Sequence, residues 1–134
     1  MKKLTVLVAV ILIAGLLAGC WVLPESKLDY IEADPDKVDL LSPRSSTQQQ
    51  LTITAFYEDG VNADVTIDCD YLSSDTKVVT VNDEGLIVYV EPGTDIVIGP
   101  GLKREATILV TYTQHNFWTG RIIETCEVEV TVKP

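Results

Sequence analysis

The sequence predicts an all-β protein, an antiparallel β-sandwich of about seven to eight strands that follows an N-terminal signal helix. From residue 28 onward, several short segments alternate apolar and polar residues with a period of two, as strands with one buried face do. Turn pairs such as Asp59-Gly60 and Glu84-Gly85 separate these segments. No segment after Cys20 sustains the 3.6-residue spacing of a helix.

The N-terminus has the pattern of a secretory signal. Lys2 and Lys3 precede an apolar run at residues 4–17, which suits a signal-peptide core and is short for a membrane-crossing helix. The run ends in Ala18-Gly19-Cys20, which with Leu17 resembles the lipobox of bacterial lipoproteins. That resemblance implies cleavage between Gly19 and Cys20 and a diacylglycerol, with N-acylation, on Cys20. The alternatives are an uncleaved anchor helix or an ordinary signal peptide.

A lipid on Cys20 would hold the protein to a membrane of the bacterial cell envelope. Residues 20–27 would form the lipidated cysteine and a short tether, because eight steps from Cys20 to Leu28 span at most about 26 Å. Two or three acyl chains on one residue anchor a domain stably, whereas one chain holds only marginally. Trp21, in place of an Asp, favours the outer membrane in a Gram-negative cell.

The chain is acidic, with 20 Asp and Glu against 10 Lys and Arg. Residues 1–19 hold two of the lysines and none of the acids, so the net charge of the mature part is about −12. Nucleic acid is therefore not expected as a partner, since it requires basic patches. The 115 residues that remain after cleavage suit one domain, at residues 28–134.

The predicted strands follow in order at residues 50–57, 65–72, 77–81, 86–90, 105–113 and 121–132. Their Val, Ile, Thr and Tyr content suits a pleated, half-buried surface. The longer segments each place one set of side chains inward: Leu51, Ile53, Ala55 and Tyr57; Val65, Ile67, Cys69 and Tyr71; Ala106, Ile108, Val110 and Tyr112; Cys126, Val128, Val130 and Val132.

These segments, in this order, resemble bacterial Ig-like domains of group 2. Residues 28–40 are similar to the family's opening, residues 51–60 to its second strand, and residues 73–87 to its most recognisable stretch. Residues 106–111 and 128–132 fit its last two strands. Tyr71 stands where the family usually has Trp, residues 94–103 look like an insertion, and residues 114–120 make a longer final hairpin loop. The resemblance implies an Ig-like sandwich and an association with surface adhesion.

Lipidation of Cys20 would leave two cysteines, Cys69 and Cys126, both on predicted inward faces. Because an exported protein meets an oxidising compartment, we expect these two to form a disulfide that contributes about 4 kcal/mol. The bridge requires converging strand ends. If a third strand lay between the cysteines, two strand spacings of about 4.8 Å each would exceed a disulfide's reach.

We expect no catalytic residues, no metal site and no cofactor besides the lipid on Cys20. The single histidine, His115, has no adjacent nucleophile and carboxylate that would make a triad. Carboxylate pairs such as Asp68 and Asp70 lack the spacing of a calcium loop. A calcium site assembled from neighbouring loops is the alternative to solvated charge.

Residues 114–120 are the candidate partner-binding loop, with His115, Asn116, Phe117 and Trp118 as its site residues. Aromatic side chains at a hairpin tip often anchor interfaces, although either ring could instead cap the core. The sequence thus favours an envelope lipoprotein with a non-catalytic binding, adhesion or structural role, whose partner is another envelope protein or a glycan. The alternatives are an accessory subunit or periplasmic assembly factor, and a glycan or small-ligand binder that uses residues 114–120.

Overall fold

The computed structural model describes residues 26–41, 47–91 and 103–133 of the 134-residue chain. The expected signal peptide, Gly19, Cys20, most of the tether and nearly all of the expected insertion at residues 94–103 lie outside these ranges. The described residues are nearly all β, and their sheets pack as a sandwich, which confirms the predicted fold class. No helix within the described ranges is long and apolar enough to cross a membrane.

The described ranges contain ten strands and one short 3₁₀ turn at Thr66–Asp68. In chain order the strands are β1 (Leu28–Asp34), β2 (Lys37–Leu41), β3 (Gln48–Gln50), β4 (Thr52–Tyr57), β5 (Asn62–Asp64), β6 (Cys69–Ser73), β7 (Val79–Val81), β8 (Leu86–Tyr89), β9 (Arg104–Asn116) and β10 (Gly120–Lys133).

The strands form a four-stranded sheet, in the order β2-β10-β9-β6, and two three-stranded sheets, β1-β4-β5 and β3-β8-β7. All neighbours are antiparallel except β2 and β10, which run parallel with Val38 opposite Val130. The parallel pair departs from the antiparallel sheet that the sequence predicts. It arises because the chain changes sheets after Asp34: β1 pairs with β4, whereas β2 pairs with β10.

One hydrophobic core joins all three sheets. Fully burying a branched aliphatic side chain contributes roughly 1.5–3 kcal/mol. The core confirms the inward assignment of alternate residues on β4, β9 and β10. Its most completely buried side chains are Leu28, Leu40, Leu51, Ile53, Ile87, Ile108, Val79, Val110, Val128 and Val130.

The strand predicted at residues 65–72 is shorter than expected, because residues 66–68 form the 3₁₀ turn. The Asp64 carboxylate accepts hydrogen bonds from the Thr66 N–H at 2.9 Å and the Thr66 hydroxyl at 2.6 Å. Thr66 Oγ1 in turn accepts the Ile53 N–H at 2.9 Å. Such side-chain bonds compete with strand pairing. Ile67, expected to face inward, is therefore 77% exposed.

The disulfide expected between Cys69 and Cys126 is not formed, since both are free cysteines. Cys69 pairs with Tyr112 on one side of β9, and Cys126 pairs with Val110 on its other side. Two strand spacings, together about 9.6 Å, therefore separate the strands that carry the cysteines. A disulfide joins Cα atoms no more than about 6.8 Å apart, so this strand order keeps the thiols unbridged.

Candidate functional site

The hairpin between β9 and β10 ends in a turn of only three residues, 117–119, which is shorter than the loop expected at residues 114–120. The ladder continues to its end, with His115 opposite Arg121 and Asn116 opposite Gly120. Gly120 adopts a φ of +80°, a conformation that glycine reaches without steric cost. The turn is therefore a tight tip on two long, paired strands.

Asn116 organises this turn from within. Its side chain is 6% exposed, and its Oδ1 accepts the N–H groups of Trp118 at 2.8 Å and Thr119 at 3.2 Å. Asparagine commonly folds a turn in this way, by bonding backbone groups two residues ahead. Asn116 is one of the predicted site residues, and in the structure its side chain holds the turn.

Phe117 and Trp118 project from the turn into solvent. They are 87% and 76% exposed, so neither ring caps the core. The two rings contact each other edge to face, with centroids 5.3 Å apart, an arrangement that aromatic pairs favour. Large aromatic side chains exposed together on an ordered turn are typical of a binding surface. We call Phe117, Trp118 and Ile123, which is 46% exposed on the adjoining strand, the aromatic tip.

The described N-terminal segment lies beside the aromatic tip. The Gln114 side-chain Oε1 accepts the Leu28 N–H at 2.8 Å, and its Nε2 donates to the Ser26 carbonyl at 2.9 Å. Gln114 precedes the turn by three residues. Gln114 lies within the predicted loop, but its contacts with Leu28 and Ser26 are not evident from the sequence. Their only local signal is a polar residue at an inward strand position.

The turn between β4 and β5 lies at the same end of the sandwich. The Glu58 N–H donates to the Lys27 carbonyl at 2.9 Å, and Lys27 Nζ lies 3.0 Å from Glu58 Oε1. Hydrogen bonds from the Ser26 hydroxyl and the Val61 N–H lower the pKa of Asp59. Val61 itself is 56% exposed. The two acids on this turn are thus each engaged by a residue of the N-terminal segment.

The remaining predicted site residues are His115, Cys69 and Cys126. His115 is exposed on β9, opposite the exposed Arg121. Burial raises the pKa of Cys126, and burial together with nearby Cys126, Asp68 and Asp70 raises that of Cys69 to about 12. The Cys69 thiol is therefore protonated at neutral pH and a poor nucleophile. Among the described residues, no three His, Cys, Asp or Glu side chains come together as a metal site would require.

A cavity of about 380 Å³ lies between β1 and β10, where Cys126 is one of its lining residues. Glu32, Asp36 and Glu127 also line it, so its charge is negative. Three acidic side chains with no basic one among them make this cavity a poor site for an anion. Among the described residues, the aromatic tip is the candidate contact surface that we consider further.

The geometry defines a class: a small β-sandwich that carries an exposed aromatic hairpin beside its N-terminal segment. No protein-family model matches the chain. Over 65 residues it is 35% identical to a protein named Ice-binding protein 1 from Shewanella frigidimarina (strain NCIMB 400). The match covers 48% of this chain but 7% of that protein, so the matched half of the chain corresponds to a small part of a much longer protein.

Proposed function

We propose that this chain is a lipid-anchored lipoprotein of the bacterial cell envelope, and that its single Ig-like sandwich is a non-catalytic binding module. The aromatic tip is its binding surface. The observation that carries the proposal is the pair of solvent-exposed rings, Phe117 and Trp118, on a turn that Asn116 holds in place. A turn that is ordered before binding loses little entropy when a partner docks.

The anchor part of the proposal rests on the lipobox-like residues that end at Cys20. Acyl chains on Cys20 would confine the sandwich near one membrane, since the tether to Leu28 is at most about 26 Å long. A domain held so close serves poorly as a spacer and is well placed to make contacts. The acidic surface keeps the domain soluble beside that membrane.

Mass spectrometry of the protein purified from bacterial membranes tests the anchor. The expected mature chain begins at Cys20 and carries the added mass of a diacylglycerol, with or without an N-acyl chain. Cys20→Ala should abolish both the modification and the cleavage. Cys69→Ala is the matched control, because it removes a buried free thiol and leaves processing intact. A mature chain with an unmodified Cys20, or one that starts elsewhere, would refute the anchor.

Site-specific photo-crosslinking in living cells tests the binding surface. A photoreactive amino acid at position 118 should form an adduct, whereas the same group at Leu72, 64% exposed on β6, should not. The chemical class of the adduct separates the alternatives: a stoichiometric envelope protein indicates an accessory subunit or assembly factor, and a sugar indicates a glycan binder. Equal labelling at both positions would show that the aromatic tip has no special role.

The similarity to Ice-binding protein 1 does not by itself favour ice binding here. That name describes a protein of which the matched segment is 7%. No observation on the described residues links the segment to ice.

A further inference from the structure

We propose that the partner of the aromatic tip is the lipid bilayer itself: Phe117, Trp118 and Ile123 insert into the interfacial region of the membrane that holds Cys20. This inference rests on the lipid anchor proposed above and names the partner of the same surface. It adds a second point of attachment, made by the folded domain, to the covalent lipid.

The position of the N-terminal segment carries the argument. Leu28 begins β1 and is bonded to Gln114, which lies two residues before the end of β9 and about 10 Å before Phe117, the first residue of the turn. β1 runs from Leu28 away from the turn. Asp36, which follows β1, accepts the Glu129 N–H at its carbonyl, and Glu129 lies far from the turn along β10. Ser26 and Lys27, which precede Leu28, therefore lie at the end of the sandwich that carries the aromatic tip.

Lengths decide which end of the sandwich meets the membrane. The 14 residues of β10 extend about 45 Å from the turn, whereas Cys20 lies at most about 26 Å from Leu28. An upright domain can therefore place only the tip end against the bilayer. A protein or glycan partner would have to fit between this end and the membrane, which favours lipid as the partner.

The chemistry of the tip suits the membrane interface. Aromatic side chains concentrate where headgroups meet acyl chains, and the exposed Phe117 and Trp118 share their hairpin with the exposed Ile123 and Arg121. The sequence has no acid between Glu105 and Glu124, in a chain with 20 acids. A basic side chain near anionic headgroups is attracted to them. The acids at this end, Glu58 and Asp59, lie on the turn between β4 and β5, where Glu58 is paired with Lys27.

The test uses the full-length lipoprotein, purified from membranes and reconstituted on vesicles of phosphatidylcholine and phosphatidylglycerol. Trp21→Phe leaves Trp118 as the one indole, since the chain has two tryptophans. The expected result is a blue shift of Trp118 emission on reconstitution and a loss of emission when the acyl chains carry bromine. The control adds Trp118→Phe and Leu72→Trp. Leu72 pairs with Leu109, about 27 Å along β9 from the turn, so its indole should keep its emission.

The possible results distinguish failure of the membrane contact from failure of the anchor. Protein that floats with the vesicles while Trp118 stays unquenched overturns the membrane contact and leaves the anchor standing. Protein that carries no lipid and does not float overturns the anchor and this inference together. If Trp118 emission shifts only after an isolated envelope protein or glycan is added, that molecule is the partner of the aromatic tip, and lipid insertion is overturned.

Discussion

The side-chain amide of Gln114 is hydrogen-bonded to the backbone N–H of Leu28, a residue 86 positions earlier in the chain, at 2.8 Å. The same amide donates to the Ser26 carbonyl at 2.9 Å. A side-chain amide offers the donor and acceptor of a peptide group. Gln114 therefore links β9 to the segment that enters β1 through one additional pair of hydrogen bonds. This contact places the N-terminal segment beside the aromatic tip.

Gln114→Ala should lower the free energy of unfolding by about 1–3 kcal/mol, because two hydrogen bonds at roughly 0.5–1.5 kcal/mol each are lost. Urea unfolding measures the loss, and hydrogen exchange should show faster exchange at the Leu28 amide. Gln49→Ala is the matched control, since within the described ranges the Gln49 side chain bonds only the neighbouring Gln50 carbonyl. Its effect should stay within about 0.5 kcal/mol. Equal losses in both variants would contradict the role given to Gln114.

Gly85→Ala should destabilise the protein more than Gly60→Ala does. Both glycines have a positive φ, +77° and +84°, which costs a substituted alanine about 1–2 kcal/mol. A Cβ at Gly85 would also lie 2.9 Å from the Tyr71 hydroxyl, whereas a Cβ at Gly60 would contact nothing. Overpacking adds about 1–3 kcal/mol at Gly85. Chemical denaturation of the two variants measures the difference, and similar losses would show that Tyr71 moves aside freely.

Alkaline pH should weaken the fold through Cys69. Burial raises the pKa of this thiol from 9.0 to about 12, with further contributions from nearby Cys126, Asp68 and Asp70. The folded state therefore prefers the neutral thiol. The stability from this preference is complete below about pH 9 and is lost as the pH rises toward about 12. Burial also raises the pKa values of Tyr71 and Tyr112, so the loss of stability continues at higher pH.

Cys69→Ala should reduce this pH dependence, measured as the slope of unfolding free energy against pH above about pH 9. The slope is the readout, because removing the buried sulfur also lowers stability at every pH. Tyr30→Phe, at an exposed position on β1, is the control and should leave the slope unchanged. If Cys69→Ala and the unmodified protein have equal slopes, groups other than Cys69 cause the loss of stability at alkaline pH.

The strand predictions succeeded where a local pattern reports burial directly. Leu51, Ile53 and Ala55 alternate with polar residues and are buried, because a strand with one core-facing side requires that period. Strand order has no such local signal. Two cysteines on inward faces are therefore compatible with a bridge until β9 is known to lie between Cys69 and Cys126.

The candidate site likewise combines residues that have a local sequence signal with residues that do not. Phe117 and Trp118 stand out in the sequence because two large aromatics occur in a predicted hairpin tip. Gln114 does not stand out as a contact, because its partners, Ser26 and Leu28, are distant in sequence. At residues 66–68, the bonds between Asp64 and Thr66 override an alternating pattern that predicts a strand at residues 65–72.

Asp64→Asn should make the protein less sensitive to acid. Hydrogen bonds from the Thr66 hydroxyl and then the Thr66 N–H lower the pKa of Asp64 below its ordinary 3.8. The folded state therefore prefers the carboxylate. Its contribution to stability is present above about pH 4 and is lost as the pH falls through the folded pKa. Urea unfolding below about pH 4 should show a shallower decline in the variant.

The control for this variant is Asp70→Asn, at an exposed position on β6 that pairs with Thr111. It also removes one carboxylate and so corrects for the change in net charge. A decline equally shallow in both variants would mean that general repulsion among charges, rather than the bonds to Thr66, sets the acid response.

The double variant Phe117→Ser/Trp118→Ser replaces both rings of the aromatic tip. It should change the free energy of unfolding by less than about 0.5 kcal/mol per site. The reason is that the rings contact solvent and each other and do not contribute to the core. Ile108→Ala, at a fully buried position on the same strand as Gln114, should lose about 2–5 kcal/mol. Urea unfolding of both proteins makes the comparison. A large loss in the double variant would give the rings a structural role, whereas unchanged stability would show that the fold does not need them, as a binding role requires.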